Sequence, residues 1–450
     1  MSTSAIPVLS RPLSGWGRYP VEVCDQVRPE RYQDLRPTAA QQIARGQGRS
    51  YGDAALGKQV ILTERVNRLR EFNTATGVLR AEAGITLAEI LDVIVPQGWF
   101  LPVTPGTRFA SLGGCVAADV HGKNHHTDGA FSQHVIAIEL ILADASRVTC
   151  SASHNAALFW ATVGGMGLTG IIGEVSLQLI PVSSPFMQVR HHTSRNLGET
   201  FALFNNATLD DKYTVAWIDC LASGISLGRS VLMCGHHAEQ ENYPVALPQT
   251  ARPRRSRSIP FDLPAMALNP FTVKLFNALY YRQQGRKTAP FLAHYTEYFY
   301  PLDGIAHWNR LYGKRGFVQY QCVIPDSGAF EAVTALLKTL SQSRRPSFLA
   351  VLKRLGPQDQ GLLSFPMTGY TLALDIPLRD SGVFALLKKL DEIVLHYGGR
   401  VYLAKDAVLT PQEFRVMYPR YAEWLAIKQD VDPALRFQSS LSRRLGIGYA

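Results

Sequence analysis

Hydrophobic positions recur along this chain with two periods, near two and near 3.6 residues, and the changes of period mark its elements. Residues 60–62 (VIL) and 78–83 (VLRAEA) read as short strands. Residues 86–95 carry Leu87, Ile90, Leu91 and Ile94 at helical spacing, with Thr86 as the cap and Gly98 as the stop. Strand character returns over 134–143 (HVIAIELILA) and 175–180.

The rhythm changes at PVSSP, 181–185, which reads as a linker. Beyond it, 317–324 is a strand, and Ser327 caps a helix reaching 341 with Phe330, Val333, Leu336, Leu337 and Leu340 on one face. A strand at 348–352 follows, then a strand at 370–376, a helix at 383–397 ended by Gly398-Gly399, and a strand at 400–404. Two successive β-α-β units of this size predict a sheet covered on one face by helices. The predicted division is therefore 1–183, 184–399 and a tail of 400–450. Residues 248–290 fit neither period: ARPRRSRS leads into apolar PFTVKLFNALYY and then basic RQQGRK. This segment reads as a long mobile loop, or, more sharply, as a lid whose basic and apolar surface meets an anionic membrane.

With 450 residues, 46% hydrophobic and 18% charged, the chain has the make-up of a folded protein of two or three domains. Its net charge of +10 suits an anionic cofactor, an anionic substrate or an acidic membrane surface. Nucleic acid fits poorly, because the basic residues form no aromatic-interleaved stripe. The six cysteines are scattered without a C-x-x-C pair, which argues against structural zinc and against a disulfide framework, and for reduced thiols in a cytosolic protein. The first twenty residues lack a signal peptide's charged start and apolar core, and no apolar run reaches the roughly 20 residues of a membrane span. The expected location is the cytoplasm, with any membrane contact peripheral, at the inner face.

The candidate chemistry lies in three glycine-dense stretches. In ARGQGRSYGD (44–53), closely spaced glycines let backbone N–H groups nest an anion such as pyrophosphate. It is neither a Rossmann fingerprint nor a P-loop, since G-x-G-x-x-G and G-K-[ST] are both missing. PGTRFASLGGCVAADVHGKNHH (105–126) sets small residues in a row, as if something flat packs on the backbone; its three histidines lack a zinc-ligand spacing. FWATVGGMGLTGIIG (159–173) adds five glycines. Together they describe a pocket for a large, flat, phosphate-bearing cofactor.

The order RGxGRSYGD, PGTRxxxxGG, HGKNHH, LFWATVGGxGLTGII resembles the PCMH-type FAD domain of the vanillyl-alcohol oxidase superfamily, and more closely the decaprenylphosphoryl-β-D-ribose 2-oxidase family. The likeness continues through Tyr300-Pro-Leu-Asp303, Trp308-Asn309-Arg310, Gln319-Tyr-Gln321, Ser364-Phe-Pro366, Tyr402-Leu-Ala-Lys405-Asp406 and Arg436-Phe-Gln-Ser439. It implies an α+β, two-domain flavoprotein: a FAD-binding domain, a substrate domain with an antiparallel sheet flanked by helices, and a C-terminal segment returning to the first domain.

By the same resemblance, Arg45, Gly46, Gln47, Gly48, Arg49, Ser50, Tyr51, Gly106 and Thr107 hold the cofactor's pyrophosphate. Ser111, Leu112, Gly113, Gly114, Ala118, Asp119, Val120, His121 and Ile172 line its adenosine and ring portions, and Tyr402 closes the pocket. Many superfamily members tether the flavin through a histidine in the first glycine loop; Arg49 stands there, so the resemblance implies non-covalent FAD. Lys405 is implied to orient substrate and stabilise charge, with proton transfer as a further role, and His121 is the second catalytic candidate. Tyr51, Trp217, Gln319, Gln321 and Lys353 match substrate-pocket positions, with Lys123 serving the substrate phosphate. Where mycobacterial members carry a cysteine and an asparagine, this chain has Ala373 and Thr371. The implied reaction is oxidation of the 2-hydroxyl of a polyprenyl-phosphoryl ribose, with a quinone or oxygen as electron acceptor. An NAD(P)H-dependent reductase then completes an epimerisation to the arabinose form. A soluble sugar-alcohol or aldonolactone oxidase, or a flavin protein without turnover, is the alternative reading.

Overall fold

The computed structural model describes residues 7–206, 211–239, 257–264, 268–345, 347 and 349–448. Its first half holds two sheets. A four-stranded sheet runs in the order Val8–Ser14, Val21–Val27, Gln59–Leu62, Gln42–Arg45, and a five-stranded antiparallel sheet runs Leu69–Asn73, Val78–Glu82, Ile171–Gln178, Val135–Ile141, Arg147–Cys150. The helix Leu87–Ile94 starts at Thr86, whose hydroxyl accepts from Glu89 N while the Glu89 carboxylate accepts from Thr86 N, a reciprocal cap. Gly98 ends the turn that follows in the left-handed conformation, at φ 80°.

The second half is built on one eight-stranded sheet. Its order is Phe291–His294, Phe186–Ser194, Ser230–His237, Tyr213–Ile218, Ala350–Leu355, Gly369–Pro377, Phe317–Pro325, Arg400–Val401, with all neighbouring strands antiparallel. Successive side chains of a strand point to opposite faces, and here the two faces have different tasks. Val318, Tyr320, Cys322, Leu352, Leu372, Leu374 and Ile376 join a core with Val333, Leu336, Leu337 and Leu340 of the helix Ala329–Ser343 and Leu386, Leu387, Leu390 and Val394 of Gly382–His396. Gln319, Gln321, Val351, Lys353 and Ala373, of the other parity, line a cavity. The C-terminal stretch runs back to the first sheet, where Gln42 N donates to Arg436 O and Gln438 N to Gln42 O.

Several local expectations need correction. Gly328, at φ 99°, occupies the cap position assigned to Ser327, because the backbone enters that helix in the left-handed region. Phe330 lies on the exposed side of the helix, beside Phe201. The 181–185 linker begins as a strand, Ile180–Pro181 pairing with Trp99–Phe100. The 400–404 strand is only two residues long, and Tyr402 O accepts from both Lys405 N and Asp406 N in a turn. Within 248–290, residues 248–256 and 265–267 lie outside the described residues; Pro270–Gly285 is a helix rather than a loop, capped by Asn269 with Pro270 at its first position.

Candidate active site

Two glycine-rich loops and one sheet face enclose a cavity of about 360 Å³. On the loop side, residues 46–51 and 105–114 approach so closely that a Cβ on Gly46 would stand 2.0 Å from Ser111 Oγ. Only glycine allows that approach. A second close contact joins the first loop to the C-terminal turn: a Cβ on Gly52 would meet Asp406 O at 1.8 Å, and Tyr51 N donates to Ala404 O. The cofactor loop and the Lys405 turn are thus one packed unit.

On the sheet side, cross-strand register builds rows. Trp217 pairs with Val351, Val351 with Ala373, and Ala373 with Gln321, so four strands contribute one row of side chains. The next row toward the C-terminal end of Gly369–Pro377 holds Asp375, paired with Gln319. Lys353 pairs with Thr371 in the row on the other side.

The polar groups are ordered by few, specific bonds. Gln321 Nε2 donates to His121 Nε2 at 2.9 Å and to Thr371 Oγ1 at 3.1 Å. Burial, with Lys353, His125 and Lys405 nearby, holds the His121 imidazole well below its usual value and therefore neutral. An accepting Nε2 then leaves the proton on Nδ1, which is buried without a hydrogen-bond partner. His121 also lies against Phe365 and Tyr402, and Tyr402 fixes itself by donating to Ala118 O at 2.8 Å. Lys405 Nζ sits 4.0 Å from the Tyr51 ring centroid, and burial brings its pKa down to about 7, against the opposing pull of Asp375. Burial alone lowers Lys353 to about 8. Asp375 is fully buried and raised by burial to about 7; its carboxylate accepts from Gln319 Nε2 at 2.6 Å and from Tyr312 OH at 3.3 Å.

Comparison with known proteins agrees with this geometry. Residues 34–151 match the model of an FAD binding domain, and 317–445 that of D-arabinono-1,4-lactone oxidase. The chain is 35% identical to the decaprenylphosphoryl-β-D-ribose oxidase of Mycolicibacterium smegmatis, over 99% of both chains. It belongs to the decaprenylphosphoryl-β-D-ribose oxidase family. An alditol oxidase from a Streptomyces species is 23% identical over 83% of this chain and 82% of its own. The fold is also that of a xylooligosaccharide oxidase from Myceliophthora thermophila, with a TM-score of 0.70 at 15% identity, covering 99% of this chain and 97% of the other.

A ribose oxidase of this family is an FAD-dependent oxidoreductase, and the residues here fit that cofactor. Arg49 lines the cavity with its guanidinium 4.1 Å over Trp16 and 5.3 Å from Phe109, and its buried Nε has no hydrogen-bond partner. A buried cation with an unused donor, beside the backbone of two glycine loops, suits a pyrophosphate.

Most residues expected from the ribose-oxidase motifs do line the cavity: Gly46 to Tyr51, Gly106, Thr107, Ser111, Gly113, Gly114, Ala118, Val120, His121, Ile172, Gln319, Gln321, Lys353, Tyr402 and Lys405. Five stand outside it. Arg45 braces the loop from behind, donating to Ser14 O at 2.6 Å and Ala55 O at 3.3 Å. Leu112 is a core residue of its short helix. Asp119 accepts from Ser364 Oγ at 2.6 Å and Ser132 N at 3.2 Å. The Lys123 amine donates to the carbonyls of Tyr298 and Phe299 and lies over the Tyr298 ring, so it is turned away from any phosphate in the cavity. Trp217 stands outside the lining, next to Val351 in its row, packed 4.8 Å from Tyr280. Sequence reasoning missed Trp16, Asp303 and Trp308 in the lining and Asp375 behind it. The Gly-Trp-Gly at 15–17 was a usable signal, since Trp16 N donates to Ser50 O and pins that segment to the cofactor loop.

Proposed function

We propose that this protein oxidises the 2-hydroxyl of a polyprenyl-phosphoryl-β-D-ribose to the 2-keto sugar, using FAD held without a covalent bond. The observation that carries the reading is the buried Lys405 amine, poised near neutrality beside Tyr51, on the same cavity as the His121 ring held by Gln321. Bound FAD supplies the hydride acceptor for the carbinol C–H. Lys405 Nζ, in its neutral form, takes the hydroxyl proton. Gln321 and His121 orient the sugar, Gln319 is held by Asp375 for the same task, and Lys353 is the cavity cation for the substrate phosphate. The phosphate role expected of Lys123 passes to Lys353 because the Lys123 amine already serves two carbonyls.

Non-covalent binding is supported by the lining itself: among its residues the sole histidine is His121, whose Nε2 is engaged by Gln321, and none is a cysteine. A quinone or oxygen reoxidises the flavin, and an NAD(P)H-dependent reductase consumes the keto sugar. No helix among the described residues is long and apolar enough to cross a membrane. The test is anaerobic absorbance of the FAD-loaded protein after adding polyprenyl-phosphoryl ribose, with ribitol in parallel. Bleaching by the lipid sugar alone supports the proposal; bleaching by ribitol moves the assignment to a soluble polyol oxidase.

A further inference from the structure

Among the described residues, the helix Pro270–Gly285 is anchored on one side and exposed on the other. Its inner side carries Val273 and Asn277; Asn277 Nδ2 donates to Asp219 Oδ1 at 2.7 Å, and the same carboxylate binds Arg229. Tyr281 OH adds a bond to Ser194 O at 3.1 Å. The outward side presents Phe271, Leu275 and Leu279, which are 76%, 52% and 59% exposed. At spacings of four residues these three form one stripe on a helix. A solvated helix has no use for such a stripe, whereas single exposed apolar residues are ordinary.

Charge and position narrow what covers it. Between Asp262 and Glu297 the sequence has no Asp or Glu and four cations, Lys274, Arg282, Arg286 and Lys287. An apolar stripe on a segment whose charged residues are all cations matches the interface of an anionic bilayer, where apolar side chains enter the acyl boundary and ammonium and guanidinium groups meet headgroups. The helix also connects to the cavity. Phe276 stacks on Tyr280 at 5.9 Å and Tyr280 packs on Trp217 at 4.8 Å. Trp217 lies in the cross-strand row that runs through Val351 and Ala373 into the cavity lining. These ring contacts join the helix to the strand row that reaches the site.

We infer that Pro270–Gly285 is an interfacial helix that seats the protein on an anionic lipid surface, with the Phe276–Tyr280–Trp217 path carrying the substrate's prenyl chain toward the cavity. The second clause rests on the substrate proposed above; the first does not.

The test is flotation of the FAD-loaded full chain with vesicles of phosphatidylglycerol and phosphatidylcholine, against vesicles of phosphatidylcholine alone. The wild type and a Phe271→Ser/Leu275→Ser/Leu279→Ser variant are compared, as is a Lys274→Glu/Arg282→Glu variant. Retained flavin absorbance and bleaching by a short-prenyl phosphoryl ribose in detergent show that each variant is folded. Binding of the wild type to the anionic vesicles, lowered at least tenfold in both variants and by salt, is expected. Equal binding by wild type and variants, no binding by the wild type, or self-association through this face with no vesicle binding overturns it. Bleaching without vesicle binding refutes the surface and leaves the substrate; vesicle binding without bleaching refutes the substrate and leaves the surface.

Discussion

Gln319 Nε2 lies 2.6 Å from Asp375 Oδ1 across a register pair of adjacent strands, placing a buried carboxyl directly behind a cavity-lining amide. That carboxyl is also faced by Tyr312, by Tyr51 and by the ammonium of Lys405, whose protonated form its charge favours. Asp375→Asn keeps an acceptor for Gln319 and removes the charge. Without it the Lys405 pKa falls further below about 7. The acid limb of the pH profile for flavin reduction should therefore move to lower pH, by about one unit for loss of a nearby opposite charge. Stopped-flow reduction across pH 5–9 measures this. A merely structural role would lower the rate and leave the limb in place.

Lys405→Met removes the proton acceptor while preserving most of the buried volume. Reduction of the flavin by substrate should slow by roughly 10²–10⁴-fold, the usual worth of general base catalysis, with FAD still bound. Single-turnover absorbance checks the rate, and flavin content after gel filtration checks the binding. An unchanged rate would assign the proton to another group.

Asp391 offers a test of stability away from the site. It is fully buried under Tyr320, whose hydroxyl donates to it at 2.9 Å, and burial raises its carboxyl to about 8. A raised carboxyl binds its proton more tightly in the folded state, so folding stability falls as pH rises from the unfolded value near 4 to the folded value near 8. Asp391→Asn keeps an acceptor for Tyr320 and has no charge to form. Its melting temperature should gain on the wild type steadily from pH 4 to pH 8, as differential scanning calorimetry would record. A constant offset across that range would refute the assignment.

Ala373 lines the cavity, and all six natural cysteines are buried away from its lining. A thiol-directed reagent should therefore leave the native protein unlabelled, and Ala373→Cys should be labelled at one site. Intact-protein mass spectrometry reads the mass increase, and adding substrate should slow it. Labelling of the native chain at the same rate would show that the cavity does not account for the reaction.

Strand and helix positions were legible where periodicity was strong, as in Leu87–Ile94 and the Ala329–Ser343 core face, and so were the glycine loops. What escaped was whatever depends on partners distant in sequence. Lys123 has the composition of a phosphate ligand, yet its direction is set by the Tyr298 and Phe299 carbonyls 175 and 176 residues away. Asp375 sits in GYTLALDIP, where an acid in an apolar strand looks like an edge; only register reveals Gln319 and Tyr312 beside it. The Pro270–Gly285 helix was hidden for the opposite reason: its exposed stripe and short buried side give no clean amphipathic pattern.

The alternation along Phe317–Pro325, Ala350–Leu355 and Gly369–Pro377 separates two kinds of substitution. Residues that touch the helices and residues that touch the cavity are neighbours in sequence but lie on opposite sides of one sheet. Exchanging Ala373 or Val351 alters the cavity lining and leaves the packed side of Leu352, Leu372 and Leu374 in place. The inner side of this sheet can thus be re-surfaced without disturbing the side that holds the helices.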